Sequence, residues 1–278
     1  MRATSRPARA PVVMVVLVLA VAVAALGGRW LVSSRHDHRA RPIPPSLARP
    51  RAVAEPPSTE PTSADPGGSN LRIGRARPVS SPALIADAIG PRVALYSHAG
   101  DPEPGDVVDN PTFEGLPVTF LVMGSHADWI EVQISRRPNE ATAWVKASDV
   151  HLHETPYKVK VDSAAHRLTL TDNGQTVLDV TVATGTGGTP TPTGTFFVDG
   201  IVQIANPNGP YGAYQLSVAA FSNVLTSFGG GNGQIAIHGT NSPNLLGSSV
   251  SHGCVRMTNA DVSKLATMVG VGTPVEIS

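Results

Sequence analysis

Apolar and polar residues alternate in several short runs of the second half of the chain. YKVKVD (157–162) and HRLTLTD (166–172) have the period of two that is typical of strands with one buried face. DNG (172–174) is a hairpin turn signal. Further strand-like runs are TVLDVTVATG (176–185), GTFFVDGIVQ (194–203), AYQLSVAAF (213–221), QIAIHG (234–239) and the terminal PVEIS. These runs predict a β-rich domain over residues 154–278.

One helix is predicted near the carboxyl terminus of this domain. Its apolar residues recur at the spacing i, i+3, i+4 and i+7, as Val262, Leu265, Ala266 and Val269. Asn259 is the predicted N-cap, and Gly270 is a suitable residue to end the helix. The helix therefore presents one apolar face to the predicted strands.

A second group of strand-like runs precedes this domain. They are Val93–Tyr96, Val118–Met123, Trp129–Ile134 and Thr142–Val145, separated by turn residues. Four or five short strands in roughly 70 residues predict a small barrel over residues 82–153. ATAWVKASDV (141–150) resembles the closing strand of a bacterial SH3-like domain. Such a domain is either a module that contacts cell-wall polymer or a spacer packed on the next domain.

Residues 1–32 have the pattern of an export segment. Three arginines within MRATSRPAR precede an unbroken apolar run from Val12 to Leu26, with no charge before Arg29. The run is long for a signal-peptide core and short for a spanning helix. A cleaved signal peptide and an uncleaved anchor over residues 12–28 both remain open, and both predict export.

Residues 33–81 are rich in Pro, Arg, Ser and Ala and have no apolar periodicity. A segment of this composition cannot bury enough apolar surface to offset its ordering entropy, so a disordered linker is predicted. The whole chain has 21 basic and 21 acidic residues, and its net charge is zero. No global field therefore indicates nucleic acid as a partner.

Cys254 is the single cysteine of the chain, so an intramolecular disulfide is excluded. A cysteine attacks as the thiolate and needs a base or a positive neighbour. His252 lies two residues before it, and His238 ends the strand-like run QIAIH, just before Gly239. These residues predict cysteine acyl transfer, with glycine-rich backbone as a source of oxyanion donors. A zinc site on the thiol and the two imidazoles is the weaker alternative, because structural zinc normally takes four ligands.

The segment IHGTNSPNLLGSSVSHGCVRM (237–257) closely resembles the signature of YkuD-type L,D-transpeptidases, which remodel bacterial peptidoglycan. That signature joins a histidine at a strand end, across a variable loop, to Ser or Thr followed by His-Gly-Cys-x-Asn or Arg. The positions that match it are His238, Ser251, His252, Gly253, Cys254 and Arg256. GTPTPTGTF (188–196) also resembles the family, and the resemblance covers about residues 157–278. It implies a mainly β fold, in which the SH3-like barrel is followed by a YkuD-type sandwich with one supporting helix.

The resemblance also implies a role for each matched residue. Cys254 would be the nucleophile, and His238 would take its proton and later activate the acceptor amine. The carbonyl of Gly239 would orient the His238 imidazole. Backbone amides of His252, Gly253 and Cys254 would line the oxyanion site, with the His252 ring supporting it.

The remaining residues of the signature are expected at the substrate. Arg256 would hold a carboxylate of a stem peptide or brace the loop. The loop 240–250, which begins with Thr240, would border the pocket together with Ser251.

The implied reaction exchanges one amide for another through a thioester, so it needs no ATP. Family members attack the bond between the third residue of a tetrapeptide stem and the D-Ala that follows. The acyl group then passes to a side-chain amine of another stem and gives a 3→3 cross-link. Donor and acceptor stems are the expected partners, carbapenems are the expected inhibitors, and no cofactor or metal is expected. The expected location is the extracytoplasmic face of a bacterial membrane or the cell wall.

Three other outcomes stay open from sequence. The same acyl-enzyme released by water would give an L,D-carboxypeptidase, and transfer to a protein amine would attach that protein to peptidoglycan. A catalytically silent wall-binding protein with a structural cysteine is the alternative from another class.

Overall fold

The computed structural model describes residues 82–278. The predictions made above for residues 1–32 and 33–81 lie outside this part of the chain. No helix of the described part has the length and apolarity needed to cross a membrane.

Residues 83–155 form a five-stranded antiparallel sheet and a separate hairpin. The strands of the sheet, in chain order, are β1 (Ala83–Ala88), β4 (Thr119–His126), β5 (Trp129–Gln133), β6 (Thr142–Lys146) and β7 (Val150–Thr155). The hairpin consists of β2 (Arg92–Leu95) and β3 (Asp106–Asp109). The order in the sheet is β6-β5-β4-β1-β7, so the first and last strands of the domain pair with each other. The SH3-like assignment of this domain stays a prediction.

The sequence pattern did not predict β1, β3 or β7 as strands, and β7 shows why. Four of its six residues are exposed, so HLHET carries no alternation of apolar and polar residues. The strand is held by its backbone ladder to β1, from Ala83 opposite Thr155 to Ala88 opposite Val150. Backbone pairing of this kind leaves no trace in the side-chain pattern.

Residues 157–277 form an eight-stranded sheet with one helix. Its strands, in chain order, are β8 (Tyr157–Asp162), β9 (Arg167–Asp172), β10 (Gln175–Thr181), β12 (Gly194–Gln203), β13 (Tyr214–Phe221), β14 (Gln234–His238), β16 (Val255–Arg256) and β17 (Pro274–Ile277). The order is β10-β9-β8-β17-β12-β13-β14-β16, and a short parallel pair joins β11 (Thr184–Gly185) to β15 (Ser249–Ser251). The predicted mainly β class with one supporting helix is confirmed for the described residues. The strands predicted as a sandwich belong mostly to this one continuous sheet.

Helix α1 (Asn259–Met268) buries Val262 and Leu265 against the core of the sheet. Its N-cap is Thr258, so the prediction of Asn259 was wrong. Thr258 has the extended backbone that a cap requires, and its hydroxyl oxygen accepts a hydrogen bond from the Asp261 amide at 3.0 Å. Asn259 is the first helical residue instead, and its side chain donates to the Pro207 carbonyl.

The two domains share a small apolar cluster. Ile85 on β1 and Leu121 on β4 pack with Phe197 on β12 and Ala219 on β13. Gly272 lies over the same cluster with φ +90°, and a Cβ there would collide with the Ile85 side chain. The first domain is therefore packed on the sheet of the second through a continuous buried contact.

Phe197→Ala should lower the free energy of unfolding by about 3–5 kcal/mol, the usual cost of emptying a buried phenylalanine site. Phe197 is fully buried in the shared cluster, whereas Phe113 is fully exposed. Phe113→Ala is therefore the matched control and should change stability by no more than about 0.5 kcal/mol. Urea denaturation of both variants measures the difference, and equal effects would contradict the shared core.

Candidate active site

Strands β14 and β16 bring the predicted site residues together. They are parallel neighbours, with Ile237 opposite Val255 and His238 opposite Arg256. Residues in register on adjacent strands project to the same face of a sheet, so His238 and Arg256 share a face. Cys254 directly precedes β16, and its thiol lies against the backbone of Ala236. The end of one strand and the start of the next therefore meet at a single place.

The turn that carries Cys254 is fixed by the Ser251 hydroxyl. This buried hydroxyl donates to the Cys254 carbonyl at 2.6 Å and accepts from the Gly253 amide at 3.0 Å. Gly253 has φ +121°, and a Cβ there would come within 2.8 Å of the Ile235 side chain. The turn therefore requires both a small hydroxyl residue and a glycine.

His238 is buried at the end of β14, with only 3% of its surface exposed. Its Nδ1 lies 2.6 Å from the Gly239 carbonyl oxygen. A carbonyl oxygen only accepts, so Nδ1 carries the proton and Nε2 keeps a free lone pair. Burial lowers the pKa of His238 to about 4; the Gly239 contact opposes this shift, and the positive charge of Arg256 adds to it. The imidazole is therefore neutral near neutral pH and able to accept a proton.

Cys254 is shifted in the opposite direction. Burial raises the pKa of its thiol, while the Ala236 backbone and the charge of Arg256 partly offset the rise. A raised thiol pKa and a lowered imidazole pKa both favour the uncharged forms. The resting site consequently holds a thiol and a neutral imidazole rather than a preformed ion pair.

The backbone next to His238 is part of a close-packed glycine pair, Gly239 and Gly212. A Cβ on Gly239 would collide with the Asn259 side chain and lie 3.0 Å from the Gly212 Cα. Gly212 itself has φ +66°. The ring of Tyr211 lies 5.0 Å from the His238 ring, in a tilted arrangement. The segment before β13 and the start of α1 thus fix the backbone on which the imidazole sits.

A cavity of about 690 Å³ opens at this place. It is lined by the predicted residues His238, His252, Cys254 and Arg256, by Tyr211 and Gln215, by Glu114 of the first domain and by much of the segment 222–233. The Arg256 Nε is buried without a hydrogen-bond partner among the described residues. The cavity therefore brings together a thiol, imidazole rings and a guanidinium.

The segment 222–233, which we call the cavity loop, connects β13 to β14 and was not recognised from sequence. It contributes Leu225 and Phe228 to the cavity wall. The Phe228 ring stacks on the exposed His252 ring, with centroids 4.7 Å apart. The available signal was its length, because connections between paired strands usually have two to five residues.

Thr240 and Ser251 were predicted at the substrate, and both are buried away from the cavity lining. The Thr240 hydroxyl accepts from the Ser242 amide at 3.1 Å, within its own loop. None of the residues 240–250 lines the cavity. The hydroxyls of Thr240 and Ser251 are thus hydrogen-bonded to backbone in this structure, and their contact with substrate stays a prediction.

Among residues 82–278 there is no group of three or more His, Cys, Asp or Glu side chains that could hold a metal ion.

Residues 156–277 match the family model of the YkuD L,D-transpeptidase catalytic domain. YkuD of Bacillus subtilis (strain 168), whose curated name assigns it to the L,D-transpeptidases, is 40% identical over 123 residues. The match covers 44% of this chain and 66% of that relative.

Two further relatives share shorter or more distant similarity. YbiS of Escherichia coli (strain K12), also named as an L,D-transpeptidase, is 39% identical over 72 residues, which cover 26% of this chain and 19% of YbiS. A solved L,D-transpeptidase structure from Mycobacterium smegmatis aligns with a TM-score of 0.35 and 19% identity, over 56% of this chain and 80% of that one. Residues 156–277 are thus similar to the YkuD L,D-transpeptidase catalytic domain, and the chain spans just under two thirds of the length of the Bacillus YkuD proteins.

Proposed function

We propose that this protein cross-links peptidoglycan by L,D-transpeptidation, through a thioester on Cys254 that yields 3→3 links between stem peptides. The observation that carries the proposal is the neutral, buried His238. Its Nδ1 is tied to the Gly239 carbonyl, and it lies on the strand beside the turn that holds Cys254. A base with a free lone pair next to a thiol in a cavity is the arrangement that acyl transfer by cysteine needs.

The first half of the reaction forms the acyl-enzyme. His238 Nε2 takes the thiol proton while the Cys254 sulfur attacks the carbonyl carbon of the third residue of the donor stem. The amides of His252 and Cys254 supply the oxyanion donors in this scheme. The Gly253 amide, which was also predicted as a donor, already donates to the Ser251 hydroxyl at 3.0 Å. The amide bond to D-Ala then breaks, and the leaving amine takes the proton from the His238 imidazolium. The thioester and free D-Ala are the products of this half.

The second half reverses these roles. The side-chain amine of an acceptor stem gives a proton to His238 and attacks the thioester carbon. The Cys254 sulfur leaves as the new amide forms, and it recovers a proton from the imidazolium. Water in place of the amine would release a tripeptide, so the acceptor decides between cross-linking and hydrolysis.

Arg256 is the group that we assign to the substrate. It lines the cavity, lies in register with His238, and has a buried Nε without a partner among the described residues. A guanidinium binds a carboxylate with paired hydrogen bonds, and stem peptides carry carboxylates. The membrane location and export of the chain belong to the same proposal, because peptidoglycan stems lie outside the cytoplasm.

Incubation of the protein with a purified disaccharide-tetrapeptide should give 3→3 dimers and D-Ala, detected by mass spectrometry of the muropeptides. Cys254→Ser should give neither product, because a serine alkoxide is far harder to generate than a thiolate. Tripeptide without dimer would show a carboxypeptidase instead. Dimers formed by Cys254→Ser would overturn the thioester.

His238→Ala should slow acylation by a carbapenem by about 10²–10⁴-fold, the usual contribution of a general base. The adduct is followed by intact mass, and Cys254 is the only cysteine that can carry it. His98→Ala is the matched control, since His98 is exposed on the first domain and should leave the rate unchanged. Wild-type acylation by His238→Ala, with loss of acylation in His252→Ala, would show that the base is the other histidine.

The pH dependence of acylation should follow the lowered pKa of His238. Protonation removes the lone pair on Nε2, so the rate should fall as pH drops towards about 4, not near the ordinary value of 6.5. Stopped-flow acylation across this range measures the midpoint, and an acid limb centred near 6.5 would contradict a buried neutral base.

The lowered pKa of His238 also makes the free energy of unfolding depend on pH, so folding must be measured alongside the acylation rate. The folded pKa lies below the unfolded one, so the unfolded chain binds the proton first as pH falls. The contribution of the neutral His238 to the free energy of unfolding is fully present above pH 6.5 and is lost as pH falls from 6.5 to about 4. Circular dichroism at each pH therefore separates loss of the base from unfolding.

A further inference from the structure

One arginine of the first domain holds both ends of the cavity loop. Arg137 follows β5, and its Nη1 donates to the Ser222 carbonyl at 2.7 Å. Its Nη2 donates to the Leu225 carbonyl at 3.0 Å and to the Asn232 carbonyl at 3.1 Å. The three carbonyls belong to the beginning and the end of the cavity loop. A single guanidinium thus ties the two arms of the loop together.

Asn139, two residues further along, binds the last residue of β13. Its side-chain nitrogen donates to the Phe221 carbonyl at 2.8 Å, and its side-chain oxygen accepts from the Phe221 amide at 2.8 Å. This pair of bonds imitates a strand partner at the point where the loop leaves the sheet. The Arg137 guanidinium also lies over the Phe221 ring, 5.2 Å from its centroid.

The base of the loop is shaped to receive this guanidinium. Gly233 has φ +80°, and a Cβ there would lie 3.0 Å from the Arg137 Nη2 and collide with the Leu225 carbonyl. The Ser222 amide donates to the Gly233 carbonyl at 2.8 Å and closes the loop below the arginine. Any side chain at residue 233 would consequently displace the contact.

The other bonds of the loop are mostly local, such as those from the Val224 and Leu225 amides to the Ser222 hydroxyl. Its tip is a bridge between Phe228 and Gly231, and it contains Gly229, Gly230 and Gly231 in succession. Glycine has more backbone freedom to lose than any other residue, so such a tip is costly to order. The tip nevertheless carries the Phe228 ring that stacks on His252, two residues from the nucleophile. Its placement therefore depends on how firmly the arms of the loop are held.

We propose that Arg137 and Asn139 are positioning residues for the active site, through which the first domain sets the wall of the catalytic cavity. The first domain is then a part of the catalytic unit. The proposal rests on the proposed function only for the choice of substrate, since the contacts stand without it.

Cohesion between the domains and positioning of the loop are separable. The apolar cluster around Phe197 already joins the two domains, and Arg137 is not part of it. Arg137 is an exposed residue, and a single exposed hydrogen bond contributes little to stability. Its three bonds converge on one loop, so their main effect is on the geometry of that loop.

The test compares Arg137→Ala with two controls. Arg136→Ala removes the neighbouring arginine, whose side chain bonds to Asp106 inside the first domain. Phe197→Ala weakens the contact between the domains and leaves the bonds to the cavity loop in place. All three are followed by carbapenem acylation, by iodoacetamide labelling of Cys254 and by amide hydrogen exchange.

Arg137→Ala should raise the carbapenem concentration that half-saturates acylation by roughly tenfold, the scale expected for lost charged hydrogen bonds. Labelling of Cys254 by small iodoacetamide should stay within about twofold of wild type, because His238 and the thiol do not rest on the loop. Exchange should speed up across residues 222–233 and stay unchanged in β14 and α1. Arg136→Ala should match wild type, and Arg137→Lys should fall between, since an ammonium cannot span three carbonyls as a planar guanidinium does.

The proposal would be overturned if Arg137→Ala had the wild-type half-saturating carbapenem concentration and unchanged hydrogen exchange in residues 222–233. It would also fall if Phe197→Ala reproduced the same kinetic change and the same local exchange, because general weakening of the interface would then suffice. Failure of the wild-type protein to react with carbapenem would refute the proposed function instead. In that case the exchange and labelling of Cys254 still decide whether Arg137 holds the loop.

Discussion

The hydrogen bond between the His238 imidazole and the Gly239 carbonyl is the constraint on which the site depends. It fixes the tautomer, because a carbonyl can only accept, and so it leaves Nε2 as the basic atom. It also demands an unusual backbone, since Gly239 must approach Gly212 and Asn259 more closely than any side chain would allow. The start of α1 and the segment before β13 therefore help to fix the position of the His238 imidazole. The order of the strands does the rest by placing β16, and with it the Cys254 turn, beside β14.

The second organising feature is that the two domains contact each other in two ways. A buried cluster joins their sheets, and polar contacts from the end of β5 onward follow the surface of the second domain. The Gln133 side chain donates to the Thr195 carbonyl, and the Glu140 carboxylate accepts from the Thr195 amide. Gln133 is almost fully buried at this contact. A spacer packed through apolar surface alone would not need such directed bonds, so the arrangement is specific in orientation as well as in contact.

Structure could be predicted from sequence best where it depends on residues that are close together along the chain. Strands β8 and β9 could be predicted because their alternation reflects a single buried face, and the segment 237–257 was informative because its residues are close together along the chain. The site pairing of His238 with Cys254 was predicted from the family resemblance, and the structure brings the two residues to one cavity. What could not be predicted depends on partners far apart in sequence. Arg137 meets Ser222 and Asn232 across roughly ninety positions, and no local pattern encodes such contacts.

The sequence also gave a wrong helix N-cap, because two adjacent residues can both serve as one. Thr258 and Asn259 are both good capping residues. Thr258 is the cap, and the Asn259 side chain donates to the Pro207 carbonyl instead. The loop 240–250 drew attention because it lies between the signature residues. The cavity is instead walled by the loop on the other side of β14, which contains no His, Cys, Asp or Glu.

The uncharged resting state of Cys254 has a consequence for the chemical durability of the protein. Oxidants and disulfides react with the thiolate, and a raised thiol pKa keeps that form scarce while no substrate is present. The cavity is large enough to admit small reagents to the sulfur, so shielding by bulk is not what protects it. The burial that makes the Cys254 thiol a poor acid thus also slows the oxidation of this lone cysteine.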